Sequence, residues 1–351
     1  MELTLDEPRL SLPVLGDPPA DPPTFLQLEP VGQCNLRCRM CPIQFRKDGP
    51  PHGPPAFMDA AVFRRLVDEL PDLKDLQLQG LGEPMMHPRF FDMVEYATAR
   101  GIRVSTNTNL TLLNDRRAER CVTSGLNALH ASLDGATPET YERIRVRAKF
   151  DRVTANLGRL MDARRRLGSR TPRVRMVVVA MRMNLPEFPA LVRLAHRFGI
   201  DEVFVQALCH DFGESSLPPQ YKPMRAFVEE QTLTNEAPAV VERYYGQARA
   251  VAADLGVELR LPPTRPHLHP PGTPGPERCD WPWTGAYVSY QGLAMPCCMV
   301  ATPDRIHLGD AARDGIAAVW NGPGYRRFRT ELSSGVPPEV CRSCSVYAGT
   351  F

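Results

Sequence analysis

Between residues 25 and 208, short apolar runs rich in β-branched side chains alternate with longer stretches whose apolar residues recur at helical spacing. That alternation is the mark of repeated βα units building a parallel sheet. Six strands are predicted, at 25–29, 76–79, 103–106, 128–133, 174–180 and 202–207, with helices near 59–70, 88–100, 112–123, 150–167 and 186–198. Pro186 stands at the start of the last helix and Gly199 at its stop, the positions those residues favour. Residues 222–256 read as one or two polar helices, followed by a short apolar strand at 257–261 and a Pro-rich linker at 262–276. From Cys279 the composition turns to Trp, Gly and Cys. The expected organisation is an extension at 1–24, a core at 25–215, a helical segment with linker at 216–276, and a small module at 277–351.

A chain of 351 residues can bury one large core and carry an appended unit. Its 42 Lys and Arg against 40 Asp and Glu leave a formal charge of +2, without the basic footprint of a nucleic-acid binder. No apolar run reaches about eighteen residues. The start, Met-Glu-Leu-Thr-Leu-Asp-Glu-Pro, lacks the basic and apolar regions of a signal peptide. A cytoplasmic protein without membrane or nucleic-acid partners is expected. In such a chain, ten cysteines serve more readily as metal ligands or reactive thiols than as disulfides. Seven fall into two groups, leaving Cys121, Cys209 and Cys298.

Cys34, Cys38 and Cys41 form a C-x3-C-x2-C run just beyond the first strand. Three thiolates can hold a [4Fe-4S] cluster while leaving its fourth iron open to a chelating small molecule. A zinc site or three unrelated buried thiols are the alternatives, although zinc sites usually pair four ligands in two knuckles and no second C-x2-C lies nearby. The run closely resembles that of the radical SAM superfamily, in which the open iron binds S-adenosylmethionine (SAM) and reductive cleavage yields a 5'-deoxyadenosyl radical. The resemblance implies an α/β fold, a partial (β/α)6 TIM-type barrel with its active site beyond the carboxyl ends of the strands. It also implies Met40 against the adenine, and SAM contacts from the Gly80-Leu81-Gly82-Glu83-Pro84 string, with Gly82, Glu83 and Pro84 as its Gly-Glu-Pro form. The Asn107-Thr108-Asn109 stretch after the third strand, with Asn107 as its candidate, and Ser132 and Asp134 at the end of the fourth, have family counterparts as well. Arg145 is the implied partner of the SAM carboxylate, suited by its planar fork, with Arg143 and Arg147 as near rivals. The stretch from Met181 to Asn184 is a candidate ribose contact.

Cys279 and Cys297 stand in a C-x12-G-x4-C spacing around Gly292, and Cys341 and Cys344 form a C-x2-C pair. This resembles the SPASM extension of radical SAM enzymes, in the shortened, twitch-like form expected to hold one auxiliary [4Fe-4S] cluster. Four thiolates would leave no open iron, which suits electron transfer. A four-cysteine zinc site remains the alternative, and Cys298 could replace Cys297.

Only about thirty residues precede the cysteine run, too few for the peptide-recognition domain that peptide-modifying members often carry. A carbohydrate-like small molecule is therefore the expected substrate, an aminoglycoside, aminocyclitol or sugar nucleoside in natural-product biosynthesis. Epimerisation or dehydrogenation would follow, with flavodoxin or ferredoxin as electron donor. Peptide modification and radical decarboxylation of a sugar nucleoside are alternatives, as is a non-catalytic zinc or iron-sulfur scaffold. An epimerase needs a hydrogen donor, for which Cys209 at the end of the sixth strand is the candidate, with His210 as a general base. The blander readings are a small buried hydrophobe for Cys209 and a hydrogen-bonded loop histidine for His210.

Overall fold

The computed structural model describes residues 20–46, 53, 56–208, 213–265, 267–300 and 302–349. The six expected strands form, and all lie parallel: β1 (Phe25–Leu28), β2 (Asp75–Leu78), β3 (Arg103–Thr108), β4 (Ala128–Ser132), β5 (Arg173–Ala180) and β6 (Glu202–Ala207). They belong to a sheet that continues at both ends. The strand at 257–261 forms as β7 (Glu258–Arg260) and adds to β6 in parallel. At the other edge β8 (Gly285–Val288), from the C-terminal module, lies parallel to β1; β9 (Leu293–Met295) and β10 (Gly309–Asp310) follow antiparallel. One ten-stranded sheet thus crosses both expected boundaries, in the order β10-β9-β8-β1-β2-β3-β4-β5-β6-β7.

Successive strand residues face opposite sides, and here most of the polar strand residues gather on one side. Leu26, Leu76, Val104, Leu129, Met176 and Val203 are buried on the outer side, beneath helices α1 (Ala60–Asp68), α2 (Phe90–Thr98), α3 (Asp115–Thr123), α5 (Phe150–Arg166) and α6 (Phe188–Phe198). Each such side chain contributes about 1.5–3 kcal/mol by leaving water. The intervening residues Gln27, Gln77, Asn107, His130, Arg175 and Gln206 line a cavity on the inner side. The inner wall of this partial barrel thus carries a row of polar side chains set among apolar ones such as Val177, Val179 and Phe204.

The helices begin where side chains satisfy their free amides. Asp59 accepts from the amides of Ala61 and Val62 at the start of α1, and Asn114 from that of Arg117 at α3, which sets the start of α3 three residues later than predicted. The sequence reading missed α4 (Pro138–Ile144), a short helix whose signal is the Thr137 cap followed by Pro138. Gly199, at φ 70°, ends α6. The 222–256 segment resolves into α7 (Lys222–Gln231) and α8 (Pro238–Leu255). Phe188 of α6 stacks on Tyr245 of α8 at 5.9 Å, so this segment covers the outer face near β6 and β7.

Side-chain contacts also join the C-terminal module to the core. Trp320 donates to the carbonyl of Asp21 at 2.7 Å, and Tyr221 donates to Thr302 at 3.1 Å. Arg305 and Glu214 form an ion pair at 2.5 Å with both side chains out of solvent.

Candidate active site

The cysteine run leaves the carboxyl end of β1 and folds back beneath the segment after α4. A two-residue antiparallel ladder pairs Arg37 with Val146 and Cys38 with Arg145. It brings a residue more than a hundred positions away next to the central cysteine, with Arg145 Nη1 3.9 Å from Cys38 Sγ. Cys34, Cys38 and Cys41 all line the cavity of about 460 Å³ at the mouth of the barrel, together with Met40 and Arg145. Burial pushes all three thiols above their ordinary range, Cys41 to about 12, with neighbouring Cys38 adding to the shift of Cys34 and Cys41. In this environment the thiolates need a compensating positive centre, which an iron cluster provides. Among the described residues, no three His, Cys, Asp or Glu side chains close around a single ion.

The loop after β2 fits against the cysteine loop through its glycines. A Cβ on Gly82 would stand 2.0 Å from the carbonyl oxygen of Val31, and one on Gly80 would stand 2.3 Å from Glu29 Cγ. Only glycine permits that approach. Glu83 caps the turn Pro84–Met86 and is almost wholly buried. Its Oε1 accepts from Thr108 Oγ1 at 2.7 Å and the Met85 amide at 3.3 Å, and its Oε2 accepts from the Asn109 amide at 2.8 Å. A carboxylate has about four acceptor positions, so Oε2 retains capacity beside the cavity. Burial raises the Glu83 pKa, outweighing the donors from Asn109 and Thr108.

The residues expected to contact SAM separate into two groups. Met40, Gly82, Glu83, Asn107, Ser132 and Arg145 line the cavity, whereas Pro84 and Asp134 stand behind it. Asp134 is fully buried and holds Arg145, with Oδ2 2.7 Å from Nε, while its Oδ1 accepts from the Val179 amide at 2.7 Å. Burial opposes the Arg145 charge, but Asp134 and Cys38 more than restore it. Arg143 and Arg147 are exposed. Asn184, from the candidate ribose stretch, instead donates to the carbonyls of Asp134 and Val179, both at 2.9 Å. Cys209 and His210 lie outside the described residues. Cys121 is buried on α3 as a packing residue.

Several site residues were not among the chosen candidates, although Asn109 stands in the stretch that includes Asn107. Asn109, rather than Asn107, meets the cysteine loop, with Nδ2 3.7 Å from Cys34 Sγ and 3.1 Å from Asn35 Oδ1. Glu29 joins three loops, accepting from Arg46 at 2.6 Å, the Leu81 amide at 3.0 Å and the Tyr290 amide at 3.3 Å. Its signal was a carboxylate directly after the first strand. His130 and Arg175 also line the cavity.

In the C-terminal module the second cysteine group converges. Burial, and then the charges of Cys298, Cys344, Cys279 and Cys341 nearby, hold the Cys297 thiol well above the ordinary range. Cys298, next to Cys297, also lines the barrel cavity. The donor set and the convergence fit an iron-sulfur cluster in each place. Cys34, Cys38 and Cys41 would hold the cluster that binds SAM, and the second group would hold the auxiliary one.

Comparison with known proteins agrees with this geometry. Residues 28–205 match the Radical SAM superfamily and residues 279–345 match the SPASM iron-sulfur cluster-binding domain. The chain is 31% identical over 340 residues to the tungsten-containing aldehyde ferredoxin oxidoreductase cofactor-modifying protein of Pyrococcus furiosus, covering 92% of this chain and 87% of that protein. It is 29% identical over 334 residues to the mycofactocin maturase MftC of Mycobacterium ulcerans, covering 93% and 81% of the two chains. Among solved structures, Streptococcus suis SuiB bound to S-adenosylmethionine has the same fold, with a TM-score of 0.67 at 15% identity over 93% of this chain and 72% of that one.

Proposed function

Because the chain belongs to the radical SAM superfamily and carries a SPASM iron-sulfur domain, we propose that it abstracts hydrogen from a carbohydrate-like small molecule held in the barrel. The cluster and SAM, when bound, supply a 5'-deoxyadenosyl radical. The protein's own contribution is placement. Arg145 is suited to the SAM carboxylate and Glu83 Oε2 to its ammonium, both through charge-assisted contacts, with Asp134 fixing the guanidinium from behind.

The observation that carries the substrate reading is the row of polar side chains on the inner wall. Gln27, Gln77, Asn107, His130, Arg175 and Gln206 face the cavity from successive strands; several already bond to one another or to Glu202, and an apolar substrate would strip water from the donors and acceptors they have left, at a cost of about 1–3 kcal/mol each. A compact molecule rich in hydroxyl or amino groups satisfies them. Epimerisation and dehydrogenation both begin with hydrogen abstraction from such a molecule. A flavodoxin or ferredoxin is the proposed electron donor.

Peptide modification is the second reading, supported by the likeness to a maturase along 93% of the chain. The test is anaerobic turnover with SAM and dithionite in the presence of aminocyclitols, aminoglycosides, sugar nucleosides or candidate peptides, reading 5'-deoxyadenosine and product mass. Stimulation by a peptide alone would overturn the carbohydrate-like reading. Wild-type protein should carry about eight irons, and the Cys34, Cys38 and Cys41 triple Ala variant about four. Release of 5'-deoxyadenosine by that variant would show that the SAM cluster had been misplaced.

A further inference from the structure

A chain of hydrogen bonds crosses the floor of the cavity and ends on a histidine. Gln27 Nε2 donates to the Gln79 carbonyl at 3.1 Å, and Gln77 Nε2 donates to Gln79 Oε1 at 2.5 Å and approaches Asn107 Oδ1 at 3.5 Å. Asn107 Oδ1 lies 2.8 Å from His130 Nδ1, and these two residues are cross-strand partners in the β3–β4 register. An oxygen can only accept, so His130 Nδ1 carries the proton. In a neutral imidazole the other nitrogen, Nε2, is then a bare acceptor. Burial, and then the Arg175 charge, hold the His130 pKa down to about 4, against a smaller opposing effect of Glu202, so the ring is neutral near pH 7.

Arg175 is the next residue in the same layer, paired in register with His130 on one side and Glu202 on the other. Its Nε lies 2.9 Å from Glu202 Oε1, and the guanidinium rests 5.4 Å from the Phe204 ring centre. Its terminal nitrogens make no hydrogen bond to the described residues, and the side chain lines the cavity. Glu202 is also held by Arg173 at 2.9 Å and Arg260 at 3.3 Å, so it does not depend on Arg175 alone. An acceptor-only nitrogen thus stands beside a donor-only fork.

We propose that His130 and Arg175 form the substrate-recognition floor of the barrel, with His130 Nε2 accepting from a substrate hydroxyl and Arg175 donating to the neighbouring oxygen. The ligand class is a ring with vicinal oxygens. This rests on the carbohydrate-like reading above and adds to it the residues that choose and orient the ring. His130 and Arg175 act here by binding and positioning.

The experiment uses the reconstituted, SAM-bound enzyme and equilibrium dialysis with three probes, myo-inositol, glucosamine and 2-deoxystreptamine. His130→Phe and Arg175→Met should each weaken the probes that bind by roughly tenfold or more, with SAM affinity and iron content unchanged. Arg175→Lys, which retains charge without the fork, guards against loss by misfolding and should recover only part of the affinity. Nitrogen-15 spectra of His-labelled protein should show Nε2 unprotonated at neutral pH. Failure of all three probes to bind the wild type overturns the carbohydrate-like reading, and this assignment with it. Binding that both variants leave unchanged, or a protonated Nε2, overturns the His130–Arg175 assignment alone.

Discussion

Arg145 illustrates how a single side chain is made ready by its neighbours. Its guanidinium is buried, held by Asp134 at 2.7 Å and set beside Cys38 by a two-residue ladder. Arg145→Ala should lower SAM affinity at least roughly tenfold while iron content holds, whereas Arg143→Ala and Arg147→Ala should leave it unchanged; isothermal titration checks all three. Removing Arg145 also strands the Asp134 charge, at a cost of about 3–5 kcal/mol, so Arg145→Lys is the companion variant. His130 predicts a pH effect of definite sign. Its pKa falls from 6.5 to about 4 on folding, so between those values the unfolded chain binds the proton and the folded chain does not. Its contribution to stability is complete above about pH 6.5 and is lost as pH falls toward 4. The drop in Tm from about pH 7 to about pH 5 should therefore be smaller in His130→Phe. An equal drop would mean that the ring is protonated in the folded protein.

At the scale of elements, the loops at the carboxyl ends of β1 and β2 act as one unit. Gly82 lies against the carbonyls of Val31 and Gln33, and the Gly82 neighbour Glu83 donates its amide to Gln33 at 3.0 Å. Gly82→Ala should cost about 1–3 kcal/mol by overpacking and weaken SAM binding as well, read by denaturant midpoint and titration. A variant with wild-type stability and SAM affinity would show that the two loops yield independently. Glu29 reinforces the same junction through Arg46, Leu81 and Tyr290.

Across the whole molecule, core and module share a sheet edge. β8 supplies the parallel partner of β1, in register from Phe25 with Gly285 to Leu28 with Val288. A chain truncated after residue 276 would expose the β1 edge, a ready template for aggregation. It should lose soluble yield and a cooperative thermal transition, measured by centrifugation and circular dichroism. A soluble, cooperatively melting 1–276 fragment would refute this dependence. The same shared edge places Cys298 of the module on the wall of the barrel cavity.

The six-strand core, the three-cysteine site and the second cysteine group were legible in the chain because they depend on local order: strand periodicity of two, glycines next to a strand end, and ligand spacings set within a few residues. The iron-sulfur and SAM chemistry followed from the resemblance those spacings carry. Tertiary structure alone decided the rest, since it depends on which distant residues meet. Nothing local to 257–261 or 285–288 told that these segments would extend the core sheet, because strand pairing is a long-range choice. Arg145 could not be separated from Arg143 and Arg147 until the ladder to Cys38 turned one of the three inward. The polar alternation along β2 to β6 was written in the sequence, yet an alternating strand shows two faces without saying which one meets water. Only the folded sheet placed Asn107, His130 and Arg175 side by side on the wall of one cavity.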